Sequence, residues 1–459
     1  MQLVKPTANY IFFFLLLFFS HVAFGQENSP FSRYGLGDLY PQQHITSRGM
    51  GGLSAAYSNY QAINTLNPAS YGSLSWVTYD FSLSVDDRTL RSDVPVAKYN
   101  STNFLPSYLQ LGIPLNRKRT TLVFGLRPYT RVNYSVEQSK TLFYDSLGVT
   151  DSVHNLYEGD GGMNQVFAGI GKTWAGKSVS FSLGLNAGYE WGSKNISTKI
   201  DFPADSLRYY MSNSTDTSHF WGLFFNPGFQ LNLKLKEGIN AYTKNRERYH
   251  LTIGGSGTFE QELNVSKIIT RETFYYTDGG AMRQLDSVLK IADTAGKINV
   301  PLTYTAGFML TKTIGNTAFE LNKWSIGAEY TSTKWTKYRY YGLPDKLSDS
   351  WFLRAGVEFS PSPLTNGSVL SRGTYRLGYY TGQDYINADG NGYKVSAYTF
   401  GFSFNLRRFR SYDRQFTTIN TAVEVGKRGS NVNNITENFF KLSLGLSLSD
   451  VWFIKRKYD

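Results

Sequence analysis

The chain has 459 residues, 47 Lys and Arg against 35 Asp and Glu for a formal charge of +12, no cysteine, and 16% Phe, Trp and Tyr. The missing cysteines exclude a disulfide-stapled exported fold, and the scatter of basic residues over strand ends and turns, with no one basic helix or sheet face, argues against nucleic acid. Beyond the first 25 residues no apolar run is long enough for a membrane-spanning helix, which leaves a soluble β protein or a membrane barrel, and the aromatic- and glycine-rich composition favours the barrel.

Residues 1–25 read as a signal peptide: Lys5 opens it, Ile11 to Phe19 is apolar but too short to span, and Ala23-Phe24-Gly25 offers small residues for cleavage before Gln26. Residues 26–73 differ from everything that follows. They hold Pro30, Pro41, Pro68 and the cluster Gly49-Met50-Gly51-Gly52, with no sustained alternation, and read as an N-terminal hatch, or plug. Within it, Leu53 to Tyr57 is expected to form a short helical turn and Asn67-Pro68-Ala69-Ser70 a tight turn.

Residues 74–459 read as a transmembrane antiparallel β-barrel. The clearest strand is 178–191, where Val179, Phe181, Leu183, Leu185, Ala187, Tyr189 and Trp191 share one parity and Ser180, Ser182, Gly184, Asn186, Gly188 and Glu190 the other. Its dry face ends in two aromatics of the kind that settle at a membrane–water boundary. About fourteen such segments recur, near 74–85, 104–113, 121–136, 164–174, 178–191, 220–236, 248–262, 298–311, 318–331, 350–360, 373–382, 395–407, 416–427 and 438–449. Long loops are expected at 86–103, 137–163, 192–219, 263–297 and 332–349, and short turns at 114–120, 175–177 and 312–317. That asymmetry places both termini on the periplasmic side of an all-β barrel. The basic runs Asn116 to Arg119 and Arg407 to Arg410 fall in turns near anionic lipid head groups. Phe440 to Leu448 ends the pattern, with Trp452, Phe453 and Tyr458 behind it as a signal for barrel-assembly machinery.

No catalytic constellation emerges. The five histidines lack ligand spacing, Asn387 to Gly392 lacks the acidic residue that would complete a calcium loop, and Gly49-x-Gly51 follows no strand, so neither metal nor cofactor is expected. His250 and Ser256 share a wall parity but stand about 20 Å apart along a strand, too far for proton transfer. The wet parity carries Asp80, Arg127, Asn186, Glu190, Gln230, Asn232, His250, Glu260, Glu329, Arg354, Glu358, Arg376, Asn405 and Glu424. These read as a mutually paired lumen network, with Arg127, Arg354 or Arg376 as alternative contacts for an anionic ligand group.

Signal peptide, hatch and strand pattern together resemble the long-chain fatty-acid and aromatic-hydrocarbon transporters of the FadL/TodX type. The resemblance rests on Ser47-Arg48-Gly49-Met50-Gly51-Gly52, Ala55-Ala56 and Asn67-Pro68-Ala69. It implies passive outer-membrane transport of hydrophobic molecules or lipids past the hatch (Gly49, Gly51, Gly52, Asn67, Pro68, Ala69), with a lateral opening beside a kinked third strand. Pro128 interrupts the third segment and marks either that kink or a strand end. Phe274-Tyr275-Tyr276 and Trp335 to Tyr341 would then capture ligand outside, at the lipopolysaccharide surface. The same fold is similar to that of accessory barrels of type IX secretion and gliding, which implies instead a non-transporting scaffold for secretion-system proteins.

Overall fold

A computed structural model describes residues 29–116, 119–144, 149–202, 210–277, 279–315, 320–362, 368–388, 390–406 and 416–450. The expected signal peptide, the run Arg407 to Arg410 and the terminal aromatics lie outside the described residues. The strands are β1 (Asp38–Leu39), β2 (Val77–Asp93), β3 (Val96–Asn116), β4 (Thr120–Tyr144), β5 (Val149–Ala175), β6 (Val179–Asp201), β7 (Met211–Ile239), β8 (Arg246–Thr258) and β9 (Gln261–Tyr276). They continue as β10 (Met282–Val300), β11 (Thr303–Gly315), β12 (Glu320–Thr333), β13 (Arg339–Tyr340), β14 (Ser350–Phe359), β15 (Thr374–Gln383), β16 (Lys394–Asn405), β17 (Phe416–Arg428) and β18 (Ile435–Asp450).

β7 pairs with β8 through Gly228 to Ile239 and with β9 through Met211 to Trp221, while β11 pairs with β8 and β10 with β9. β8–β9 and β10–β11 are therefore two long staves, each broken once. With β2 to β7, β12 and β14 to β18 they make a closed wall of fourteen antiparallel staves, sealed where β18 meets β2 from Asp450↔Val77 to Ile435↔Ser92. The all-β barrel expectation holds. Closure leaves no free edge at the lipid level of that seam, where an unpaired backbone group would cost several kcal/mol.

The expected long loops differ in kind. Among the described residues four of the five segments are strand, the first turning at Val94-Pro95, so β7 runs 29 residues where roughly ten cross a bilayer. Beyond the hydrocarbon both faces of a strand meet water. Ser193, Asn195, Ser197 and Lys199 continue the ladder after Trp191 without an apolar parity, and periodicity cannot register them. Among the described residues the connections around 334–349 and 384–393 fold as substantial loops at this end, and they close over the lumen. Trp335, Tyr338, Tyr385, Ile386 and Tyr393 are buried there against Phe31 and Leu36 of the N-terminal segment. Trp335 stacks on Tyr385 at 4.7 Å, so it is part of a lid core, not the exposed capture surface that the sequence reading gave it.

The helical turn also lies elsewhere than expected. It is Ile45–Arg48, capped by the His44 ring, while Leu53 to Tyr57 is non-helical with a bend at Ala55 and Ala56, Ser54 and Ala55 giving their N–H groups to Glu329, both at 2.6 Å. Asn67 caps a 3-10 turn over Pro68–Ser73, with its side-chain oxygen accepting from Ala69 N–H.

Candidate functional site

The N-terminal segment threads the lumen from the lid to the opposite rim, and each of its turns is fastened to the wall by a different device. His44 reaches Asp80 on β2 at 2.5 Å and stacks on Tyr108 of β3. Arg48 donates from Nε to Glu424 on β17 at 2.6 Å and from Nη1 to Ser84 at 3.1 Å, with both members of the ion pair buried. Tyr71 donates to Asn186 at 2.8 Å. A buried charge with one partner removed is far costlier than an exposed one, so these pairs fix the plug in one position.

Close approach supplies the second device. A Cβ on Gly184 would stand 2.2 Å from the Pro68 backbone, one on Gly378 would stand 2.1 Å from Gly51 N, and one on Gly401 would stand 2.8 Å from Gly49 Cα. The wall glycines are seats into which the plug backbone drops. Gly51 and Gly52 also need their own lack of a side chain, at φ +70 and +86. Thus Gly49, Gly51, Gly52, Asn67, Pro68 and Ala69 all lie at plug–wall contacts.

Two cavities flank the plug. The upper one, about 320 Å³, lies between lid and plug and is lined by Trp335 and Tyr385 above, Gly52 and Ser54 below, and Arg127 and Arg354 at the sides. The lower one, about 400 Å³, opens at the short-turn end between Ser58 and Ser73 of the plug and the β5, β6, β8 and β11 walls. They share no lining residue.

Of the three arginines singled out by sequence, Arg127 bonds Gln165 at 2.8 Å and Thr65 at 3.0 Å and lies over the Phe167 ring. Arg354 bonds Thr331 at 2.8 Å, with Glu329 3.6 Å away. Arg376 is consumed by Glu358 at 2.8 Å and Ser403 at 2.6 Å, and lines neither cavity. Most of the wet parity is buried as a paired network, whereas Glu260 is exposed at the break between β8 and β9, facing Lys337 at 3.8 Å.

The wall itself is split beside Pro128. β3 and β4 pair from Asn116↔Thr120 only to Leu109↔Leu126; above that point β3 pairs with β2 and β4 with β5. Pro128 has no N–H to give a neighbour, and a bulge at Tyr129 turns the strand away. The vacated edge of β4 is taken by the N-terminal segment: Leu39 and Asp38 register with Thr130 and Arg131, Tyr40 N–H donates to Tyr129 O at 2.9 Å, and Gln42 donates to Pro128 O at 3.0 Å.

Sequence reasoning missed what holds that segment there. Asp38 is gripped by Arg88 and Arg428, each at 3.0 Å, and Arg428 in turn meets Asp384 of the lid and lies 4.3 Å over the Phe31 ring. Burial opposes ionisation of Asp38, but the two guanidiniums and the Ser29 hydroxyl outweigh it and hold the carboxyl well below its ordinary value. Asp38 precedes the alternating region and so carried no periodic signal.

Comparison with solved structures places this arrangement among known barrels. A FadL homologue of Pseudomonas aeruginosa is 12% identical, with 91% of this chain and 100% of that one covered at a TM-score of 0.52. The toluene transporters TbuX of Ralstonia pickettii and TodX of P. putida are each 14% identical, at a TM-score of 0.49 and with coverage of 91% and 99%, and of 92% and 100%. The chain therefore has the FadL-like outer-membrane barrel fold. No curated protein sequence matches it. The profile of the BamG family matches residues 7–459, and the chain, with its plugged and lidded barrel, belongs to the BamG family.

Proposed function

We propose that this protein is a non-conducting outer-membrane barrel that acts as a scaffold in barrel assembly, through surfaces it presents at its two ends. The observation that carries the reading is the fastening of the plug: buried ion pairs and glycine seats hold it against the wall between an upper and a lower cavity. The upper cavity sets the charged groups Arg88, Arg428, Glu424 and Glu437 among apolar side chains such as Leu66, Phe224 and Phe352. The name of the BamG family points the same way, to association with barrel assembly. Depletion of the protein tests this. Other outer-membrane barrels should fall in abundance, and the tagged protein should co-purify with barrel-assembly components; normal barrel levels together with no such association would end the proposal.

A second reading, transport of hydrophobic molecules, is favoured by one feature, the split between β3 and β4. Phe104, Leu109 and Leu126 are exposed around it, and Leu39 of the plug is exposed within reach of the β4 edge. Uptake of a labelled long-chain fatty acid by cells with and without the protein separates the two readings.

A further inference from the structure

The lower cavity has a charge pattern that a plain solvated vestibule does not need. Arg119 and Lys177 stand exposed at its mouth, in the turns that join β3 to β4 and β5 to β6, and neither has an ion pair among the described residues. The β3–β4 turn is tied to the end of β5 by Thr173 N–H donating to Arg119 O at 3.1 Å. At the rim formed by the ends of β7 and β8, Lys234, Arg246 and Arg248 crowd around two carboxylates: the exposed Glu237 takes Lys234 at 2.7 Å, Arg246 at 3.0 Å and Arg248 at 3.2 Å, and Glu320 takes Arg248. Four cations, Arg119, Lys177, Lys234 and Arg248, thus line the cavity against one carboxylate, Glu320, with Arg246 and Glu237 at the adjoining rim, and Arg119 and Lys177 are the unpaired ones. Between them the walls carry Ser180, Ser182 and Thr252, hydroxyls able to donate to an anion or accept from a peptide N–H, and Thr311, whose O–H is given to Ser325.

We infer that this vestibule is a docking site for an acidic, extended polypeptide segment of a partner on the periplasmic side. Three properties select that occupant. The surplus positive charge calls for carboxylates, and it sits at the mouth, where it steers encounter as well as binding. The opening is at the end of the barrel that carries both the first and the last wall strands, Val77 beside Asp450, which is the periplasmic end of such a barrel. A lipid head group is disfavoured because the wall strands separate the cavity from the acyl region. Its roughly 400 Å³ accommodates a few side chains of an extended segment, with the plug residues Ser58 and Ser73 as its floor. The inference deepens the scaffold reading by naming the chemistry of one partner, and it rests on that reading only for its biological role.

The test uses the full-length protein in detergent with a fluorescein-labelled decaglutamate peptide as probe, so it reads the vestibule whatever depletion does to barrel assembly. Saturable binding is expected, weakening steeply when salt rises from about 50 mM to about 200 mM as screening shortens. Arg119→Asn with Lys177→Glu should weaken it about ten-fold or more. Asn suits the positive φ of 56 at position 119, and Lys98→Glu at the opposite end is the matched control, expected to be neutral. As a second route, the absence of cysteine allows Ser180→Cys to be labelled alone, and a bulky maleimide there should block the peptide. Unchanged binding in the double variant and in the maleimide-blocked protein overturns the proposal. So does the outcome in which phosphatidylglycerol vesicles bind and the peptide does not.

Discussion

Replacing Glu424 by Leu should free the plug without opening the wall. Glu424 sits in the β17 ladder opposite Lys441 and Thr399, and its backbone pairing does not depend on its side chain. What it loses is the carboxylate that takes Arg48 Nε at 2.6 Å and the Tyr380 hydroxyl at 3.3 Å. Arg48 would keep only Ser84, and its Nη2 already has no hydrogen-bond partner. Stranding a buried guanidinium in this way costs about 3–5 kcal/mol, so the population of displaced plug should rise by roughly two to four orders of magnitude. Two assays read it on purified protein: single-channel conductance, which should show openings absent from the wild type, and hydrogen exchange, which should quicken over residues 44–57 and not in the strands. The double variant Arg48→Met with Glu424→Leu removes both charges and should restore protection to within about 1 kcal/mol. If the single variant were as closed and as protected as the wild type, the ion pair would not be what fixes the plug.

Gly184→Ala should lower the temperature of heat-modifiable gel migration markedly, because its Cβ meets the Pro68 backbone at 2.2 Å, whereas Gly279→Ala, with nothing within 4 Å, should leave it unchanged. Acidification should release the segment around Asp38. Its folded pKa is lowered, so its stabilisation is present above the unfolded value near 3.8 and lost as pH falls below it towards the lower folded one; limited proteolysis near residues 29–43 should show this, and Asp38→Asn should be loose already at neutral pH. Leu39→Cys with Thr130→Cys, which are registered partners, should form a disulfide that pins the segment to β4. A pinned protein that still supports barrel assembly favours the scaffold reading; loss of fatty-acid uptake on pinning would favour transport.

The wall was legible in the sequence because the bilayer imposes a strict rule on it: one face of every stave must be apolar over the hydrocarbon, and the parity of Val179 to Trp191 records that rule directly. The same strand shows where legibility stops. From Gly192 to Ile200 the ladder to β7 continues in water, where no parity is enforced. The plug was legible as a break in pattern, and its glycines and Asn67-Pro68 as places of close approach, but the partners of those residues are hundreds of positions away. Nothing local links Gly49 to Gly401 or Ser54 to Glu329. Pro128 was visible as a missing donor. That β1 would occupy the edge beyond it was not, since two residues of strand leave no periodicity to read.

The N-terminal segment is what couples the lid, the lateral seam where β3 and β4 part, and the plug, and this bears on which reading of the barrel survives. Phe31 and Leu36 form part of the lid core, Asp38 and Leu39 line the β4 edge, and Arg48 to Asn67 occupy the glycine seats, all within one continuous stretch of chain. Withdrawing β1 to open the seam therefore breaks Asp38 from both arginines, and moving Phe31 with it uncovers Arg428. Lid and seam are for that reason coupled: a route through the wall opens only if part of the lid core also loosens, and ligand binding would have to supply several kcal/mol of differential affinity to populate that state. A scaffold requires no such excursion. Its ends are already displayed in the closed form, the projecting hairpins on one side and the cationic vestibule on the other, and the contacts that make conduction costly hold those surfaces rigid for a partner.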